Sequence, residues 1–101
     1  MYPMYKQIEL ALLQELVGRG GRPSPSDKDA QGRTVYDALA DHFDLSKEDR
    51  ERTFLDEGKP RSKWENMVRW ACRKLKDKGL LCSPHRGVWA VTVAGRELVR
   101  G

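Results

Sequence analysis

Residues 62–81 read Ser-Lys-Trp-Glu-Asn-Met-Val-Arg-Trp-Ala-Cys-Arg-Lys-Leu-Lys-Asp-Lys-Gly-Leu-Leu, and Cys82-Ser83-Pro84-His85-Arg86-Gly87-Val88-Trp89-Ala90-Val91 follows. Ser62 and Glu65 stand at the spacing of a capping box, so a helix starts there. It runs to about Lys78, and Gly79 supplies the C′ residue. Leu80–Cys82 and Val88–Val91 then read as two short strands, joined by a polar turn at Pro84–Gly87 whose backbone needs the freedom of Gly87. The unit is a basic helix followed by a hairpin wing.

Residues 62–78 divide at 100° per residue. Trp64, Val68, Ala71 and Leu75 fall on one side, with Cys72 and Met67 at its edges, and form the core stripe. Trp70 lies between the two faces and is expected in the core. Ser62, Asn66, Arg69, Arg73 and Lys76 form the opposite side, every one a hydrogen-bond donor. No carboxylate is expected at the centre of that face; Asp77 marks its edge. A solvated face ordinarily mixes signs, so this one suits an anionic partner. Arginine pairs with guanine N7 and O6, and asparagine with adenine N6 and N7. Asn66, Arg69 and Arg73 are therefore expected to contact bases. Arg61, Ser62, Lys63, Lys74, Lys76 and Arg86 are expected to contact phosphates, which position the protein without specifying sequence. The bland alternative is a polar face with no ligand.

The rest of the chain is consistent with one small domain over residues 1–101. Its 101 residues allow a single modest core, with 39% hydrophobic and 34% charged residues. The net charge of +4 is unevenly placed. Residues 1–60 carry 9 Lys and Arg against 12 Asp and Glu, whereas residues 61–101 carry 10 against 3. That polarity favours a polyanion on the helix–hairpin side. No apolar run reaches the ~20 residues of a membrane span, and the N-terminus does not resemble a secretory signal. Two cysteines make no disulfide framework, so a reducing cytoplasm is the expected location.

Upstream, Tyr5–Val17 has helical spacing through Ile8, Leu12, Leu13 and Leu16. Residues 18–33 are rich in Gly, Pro, Ser and Asp and are expected to form a mobile loop, with one short extended piece at most. Thr34 caps a second helix to about His42. Ser46 and Asp49 open a short third helix, after which Phe54 and Leu55 are expected to close onto the core and Asp56–Arg61 to form a turn. Thr92 caps a last helix through Leu98. The fold class is mainly α (α+β): a winged helix-turn-helix with three to five helices and a C-terminal β-hairpin wing.

The ordered set Trp64-Glu65-Asn66-Met67-Val68-Arg69-Trp70-Ala71, Leu75-Lys76-Asp77-Lys78-Gly79-Leu80, Arg86-Gly87-Val88-Trp89 and Thr92-x-x-Gly95 resembles the N-terminal domain of Mrr-type restriction proteins. The resemblance is close over residues 62–97 and looser before them. It implies a winged-helix fold and a DNA-binding role, often joined to a nuclease domain that acts on modified DNA. The family commonly has an arginine directly after the asparagine, where this chain has Met67, so a preference for methylated bases is not carried over.

Catalytic chemistry is not expected. Glu57-Gly58-Lys59, preceded by Asp56, has the residue types of a metal-dependent nuclease site but falls in the expected turn. Cys82 and His85 are close in sequence, yet a structural zinc needs four ligands. Both cysteines are expected on hydrophobic sides. No cofactor and no metal are expected. The leading reading is a double-stranded DNA-binding module of a restriction system, with a nuclease domain in cis or in trans as a possible partner. The alternatives are a winged helix that binds protein and a transcriptional regulator.

Overall fold

The computed structural model describes residues 1–100. Nine elements follow one another: α1 (Tyr5–Gly18), α2 (Val35–His42), α3 (Lys47–Glu51), β1 (Thr53–Asp56), β2 (Lys59–Ser62), α4 (Lys63–Asp77), β3 (Leu81–Cys82), β4 (Ala90–Val91) and α5 (Val93–Arg100). The architecture is mixed α+β, five helices with two separate two-stranded antiparallel hairpins.

The apolar stripes of α1 and α4 meet to make the core. Ile8, Leu12, Leu13 and Leu16 from α1 are completely buried, as are Val68 and Ala71 from α4, with Leu75 almost so. Val35 and Leu39 of α2 close one side. Burying side chains of this size contributes roughly 1.5–3 kcal/mol each. Trp64 anchors the start of α4: its indole N–H donates to the Tyr36 carbonyl at 2.9 Å, and Tyr2 stacks on its ring.

Local signals set the helix ends. The Thr34 hydroxyl accepts from the Asp37 N–H, and the Asp37 carboxylate accepts from the Thr34 N–H in return. Ser46 caps α3 through the Asp49 N–H. Ser62 caps α4 through the Glu65 N–H at 3.2 Å. Only half of the expected capping box forms there, because the Glu65 carboxylate turns to Arg69 instead. Gly79 ends α4 at φ +74°.

Thr92 accepts from the Gly95 N–H and donates to the Gly79 carbonyl. Gly95 is buried, and a Cβ there would collide with the Leu80 carbonyl oxygen. The Thr-x-x-Gly spacing thus serves to lay α5 against the backbone that follows α4.

Three expectations are corrected. Asp56–Arg61 is not a plain turn: residues 53–62 form the β1–β2 hairpin, in the register Phe54 to Arg61 and Asp56 to Lys59. Glu57 (φ 52°) and Gly58 (φ 79°) supply the two positive φ angles that a tight two-residue hairpin needs. Leu55 does not close onto the core but is 75% exposed. Trp70 is not a core residue either; it is 50% exposed.

The loop over residues 18–33 is tied at many points. Arg19 pairs with Glu15 and Asp29, and its guanidinium also donates to the carbonyls of Asp27 and Arg33. Arg33 and Arg50 share Asp41, and these two guanidiniums hold the Asp41 carboxyl below the usual carboxylate range. The stretch Gly21–Pro23 runs beside the second hairpin. The Val91 N–H donates to the Gly21 carbonyl at 2.8 Å, and the Trp89 N–H to the Pro23 carbonyl at 2.9 Å.

Candidate nucleic-acid interface

The outward side of α4 faces an open cleft of about 980 Å³ between the helix and the tip of the β3–β4 hairpin. Arg69, Arg73 and Lys76 enter it from α4, and Arg86 from the hairpin tip. Ser24, Pro25 and Ser26 form the opposite rim, and Tyr36 and Trp89 lie at its base. The base is rigid, since Tyr36 meets Trp89 edge to face with ring centres 6.0 Å apart. Burial raises the Tyr36 phenol above its ordinary pKa, and the nearby Arg69 charge partly opposes this.

The cations in the cleft differ in how firmly they are held. The Arg69 guanidinium lies 3.3 Å from a Glu65 carboxylate oxygen and 5.5 Å from the centre of the Tyr36 ring. Two carboxylates, Glu65 and Asp77, thus line the cleft together with its cations. The Arg69–Glu65 pair is half exposed, 49% and 42%, so solvent screens it and it costs little to open. Among the described residues, Arg73, Lys76 and Arg86 form no ion pair. All three are exposed.

The remaining residues expected to contact nucleic acid are distributed otherwise. Asn66 is partly buried on the far edge of the same face, where it lines a shallow notch with Arg69, Trp70 and Arg73. Lys63 and Lys74 lie on the flank towards α1, with Lys63 Nζ 5.5 Å above the Tyr2 ring and Lys74 Nζ 6.0 Å above the Tyr5 ring. Arg61 pairs with Asp56 across the β1–β2 hairpin at 2.8 Å. The Ser62 hydroxyl is occupied as the α4 cap. The structure thus gathers Arg69, Arg73, Lys76 and Arg86 in the cleft, with Asn66 beside it, and leaves Arg61, Lys63 and Lys74 outside.

Sequence reasoning missed two parts of this arrangement. The Ser24–Ser26 rim comes from a loop with no periodicity to read. The Glu65–Arg69 pair was legible, since the residues stand at i and i+4 in the favourable order.

Residues 56–59 do not make a metal site: Asp56 and Lys59 pair across the hairpin, and Asp56 is engaged by Arg61. Among the described residues, no three of His, Cys, Asp and Glu are gathered as metal ligands. Of the two cysteines, only Cys82 departs from the expected hydrophobic-side position. Cys72 is buried, and that burial pushes its thiol up to about 11, whereas Cys82 is exposed. No helix is long and apolar enough to cross a membrane.

Comparison with the curated proteins and with the solved structures finds no significant match. A family model described as the Mrr N-terminal domain, however, matches residues 5–101, essentially the whole chain. It takes in α1, α4, the second hairpin and the Thr92–Gly95 packing, and the chain belongs to the Mrr N-terminal domain family.

Proposed function

We propose that this domain is a winged-helix module that binds double-stranded DNA and serves as the target-recognition part of a restriction system. Helix α4 enters the major groove, Asn66, Arg69 and Arg73 meet base edges, and Lys76 and Arg86 hold phosphates on the strand that crosses the cleft. The observation that carries this reading is the cleft itself, where Arg69, Arg73, Lys76 and Arg86 converge from two elements and outnumber the two carboxylates, Glu65 and Asp77, that line it with them. Mutual repulsion in such a cluster is relieved by a polyanion. A duplex presents that charge at intervals of about 1.7 Å along its axis.

The winged-helix reading is supported by the order of elements and by the two backbone hydrogen bonds that tie the Gly21–Pro23 stretch to the β3–β4 hairpin. Arg61, Lys63 and Lys74 become peripheral, at the rim of a duplex rather than under it. The Mrr N-terminal domain is not itself a nuclease domain, so strand cleavage is assigned to a nuclease domain in cis or in trans. The exposed Trp70 favours a second reading, in which the same face docks an acidic protein surface.

Electrophoretic shift of a random 30-base-pair duplex at low salt separates the two. The DNA reading expects binding in or below the micromolar range, lost on adding heparin. Absence of any shift would refute it and leave the protein-docking reading standing.

A further inference from the structure

Trp70 is the one tryptophan that the fold does not use. Trp64 and Trp89 are 3% and 8% exposed, whereas Trp70 is 50% exposed. It sits at the border of the outward face of α4, in a notch of about 240 Å³ that it shares with Asn66, Arg69 and Arg73. A lone exposed apolar side chain needs no explanation by itself, but this indole shares its notch with three side chains suited to reading base edges.

We propose that Trp70 reads the C5 methyl group of thymine in the major groove. This rests on the DNA-binding reading above and extends it from charge to specificity. The floor of the major groove offers hydrogen-bonding edges at every pair but only one apolar group, the thymine methyl. Trp70 is flanked by groups that read the polar edges. Asn66 lies four residues before it, about 6 Å along the helix axis, a span close to two base steps of about 3.4 Å. Arg73 lies one turn beyond. An asparagine pairs best with adenine, so Asn66 and Trp70 together favour A·T pairs. The indole is flat, rigid and already placed, so little conformational freedom is lost on contact.

The test uses duplexes selected from a random pool by the wild-type protein, each synthesised with thymine and again with uracil, which lacks only that methyl. Wild-type and Trp70→Ala proteins are titrated against both. The wild-type protein is expected to bind the uracil form about fourfold more weakly for each contacted thymine, the equivalent of one methyl-sized group. Trp70→Ala is expected to bind both forms equally. A wild-type protein indifferent to uracil, or a variant that keeps the full uracil penalty, overturns the assignment while leaving duplex binding intact. Failure of the wild-type protein to bind any duplex removes the DNA-binding reading and this assignment with it. Iodide quenching gives a second readout. Trp70 supplies the quenchable emission of the free protein, Trp70→Phe abolishes it, and duplex is expected to shield it. Quenching that persists undiminished in the complex also overturns the proposal.

Discussion

The two flanks of α4 carry similar residues and offer different surfaces. Towards the β3–β4 hairpin, Arg73, Lys76 and Arg86 stand open in a cleft. Towards α1, Lys63 and Lys74 lie over the rings of Tyr2 and Tyr5, and Lys78 reaches the buried Glu9 carboxylate at 2.7 Å. Helical spacing decides which side of the rod a cation occupies, but the neighbouring elements decide whether it is free. An aromatic face or a carboxylate partly satisfies the cations of the α1 flank, so those cations contribute to holding α1 against α4. On the hairpin flank Arg69 is held in this way by Glu65 and Tyr36, whereas among the described residues Arg73, Lys76 and Arg86 form no ion pair.

This difference can be broken directly. Replacing Arg69 and Arg73 together by Ala is expected to weaken duplex binding by about 1–3 kcal/mol per residue. Replacing Lys63 and Lys74 together by Ala removes the same charge, yet is expected to cost less than about 1 kcal/mol, the scale of a screened surface interaction. Anisotropy titrations of the two double variants at one salt concentration make the comparison. Equal losses would show that only total charge matters.

A smaller effect sharpens the picture within the cleft. Glu65 both neutralises Arg69 and places a negative charge on the binding face. Glu65→Gln is expected to tighten binding to random duplex about two- to fivefold, the equivalent of one exposed ion pair. Weaker binding would mean that Glu65 orients Arg69 for a specific contact.

The smallest effect concerns the thiols. Cys72 faces the core from α4, with a thiol pushed up to about 11, and stays protonated at pH 8. Cys82 is exposed at the second hairpin. One fast-reacting thiol is expected with a disulfide reagent at pH 8, and a second only on unfolding, since the thiolate is the reactive form. Two fast thiols would show that α4 loosens from the core.

Much of this architecture was legible in the sequence because short-range rules govern it. The core stripe of α4 follows from its period, its start from Ser62 and its end from Gly79, and α5 begins where Thr92 caps it. The β1–β2 hairpin was not legible. Residues 53–62 are charged and contain Pro60, which argues against an interior strand. A two-stranded hairpin has only edges, though, and tolerates it. Trp70 was misplaced for another reason: it stands between the two faces of the wheel, so spacing alone does not decide its side, and the fold leaves it half exposed. The grouping of Lys76 with Arg86, and the separation of both from Lys63 and Lys74, depended on tertiary placement that spacing along a helix does not contain.

The most direct test of the central claim is the salt dependence of duplex affinity. With four to five phosphates neutralised, the logarithm of the association constant is expected to fall with the logarithm of salt concentration at a slope of about −3.6 to −4.5. In Lys76→Ala/Arg86→Ala, which removes two phosphate contacts, the slope is expected to lose about two. A slope unchanged by that double substitution, or no measurable binding at low salt, would contradict the assignment of the α4 cleft as the nucleic-acid interface.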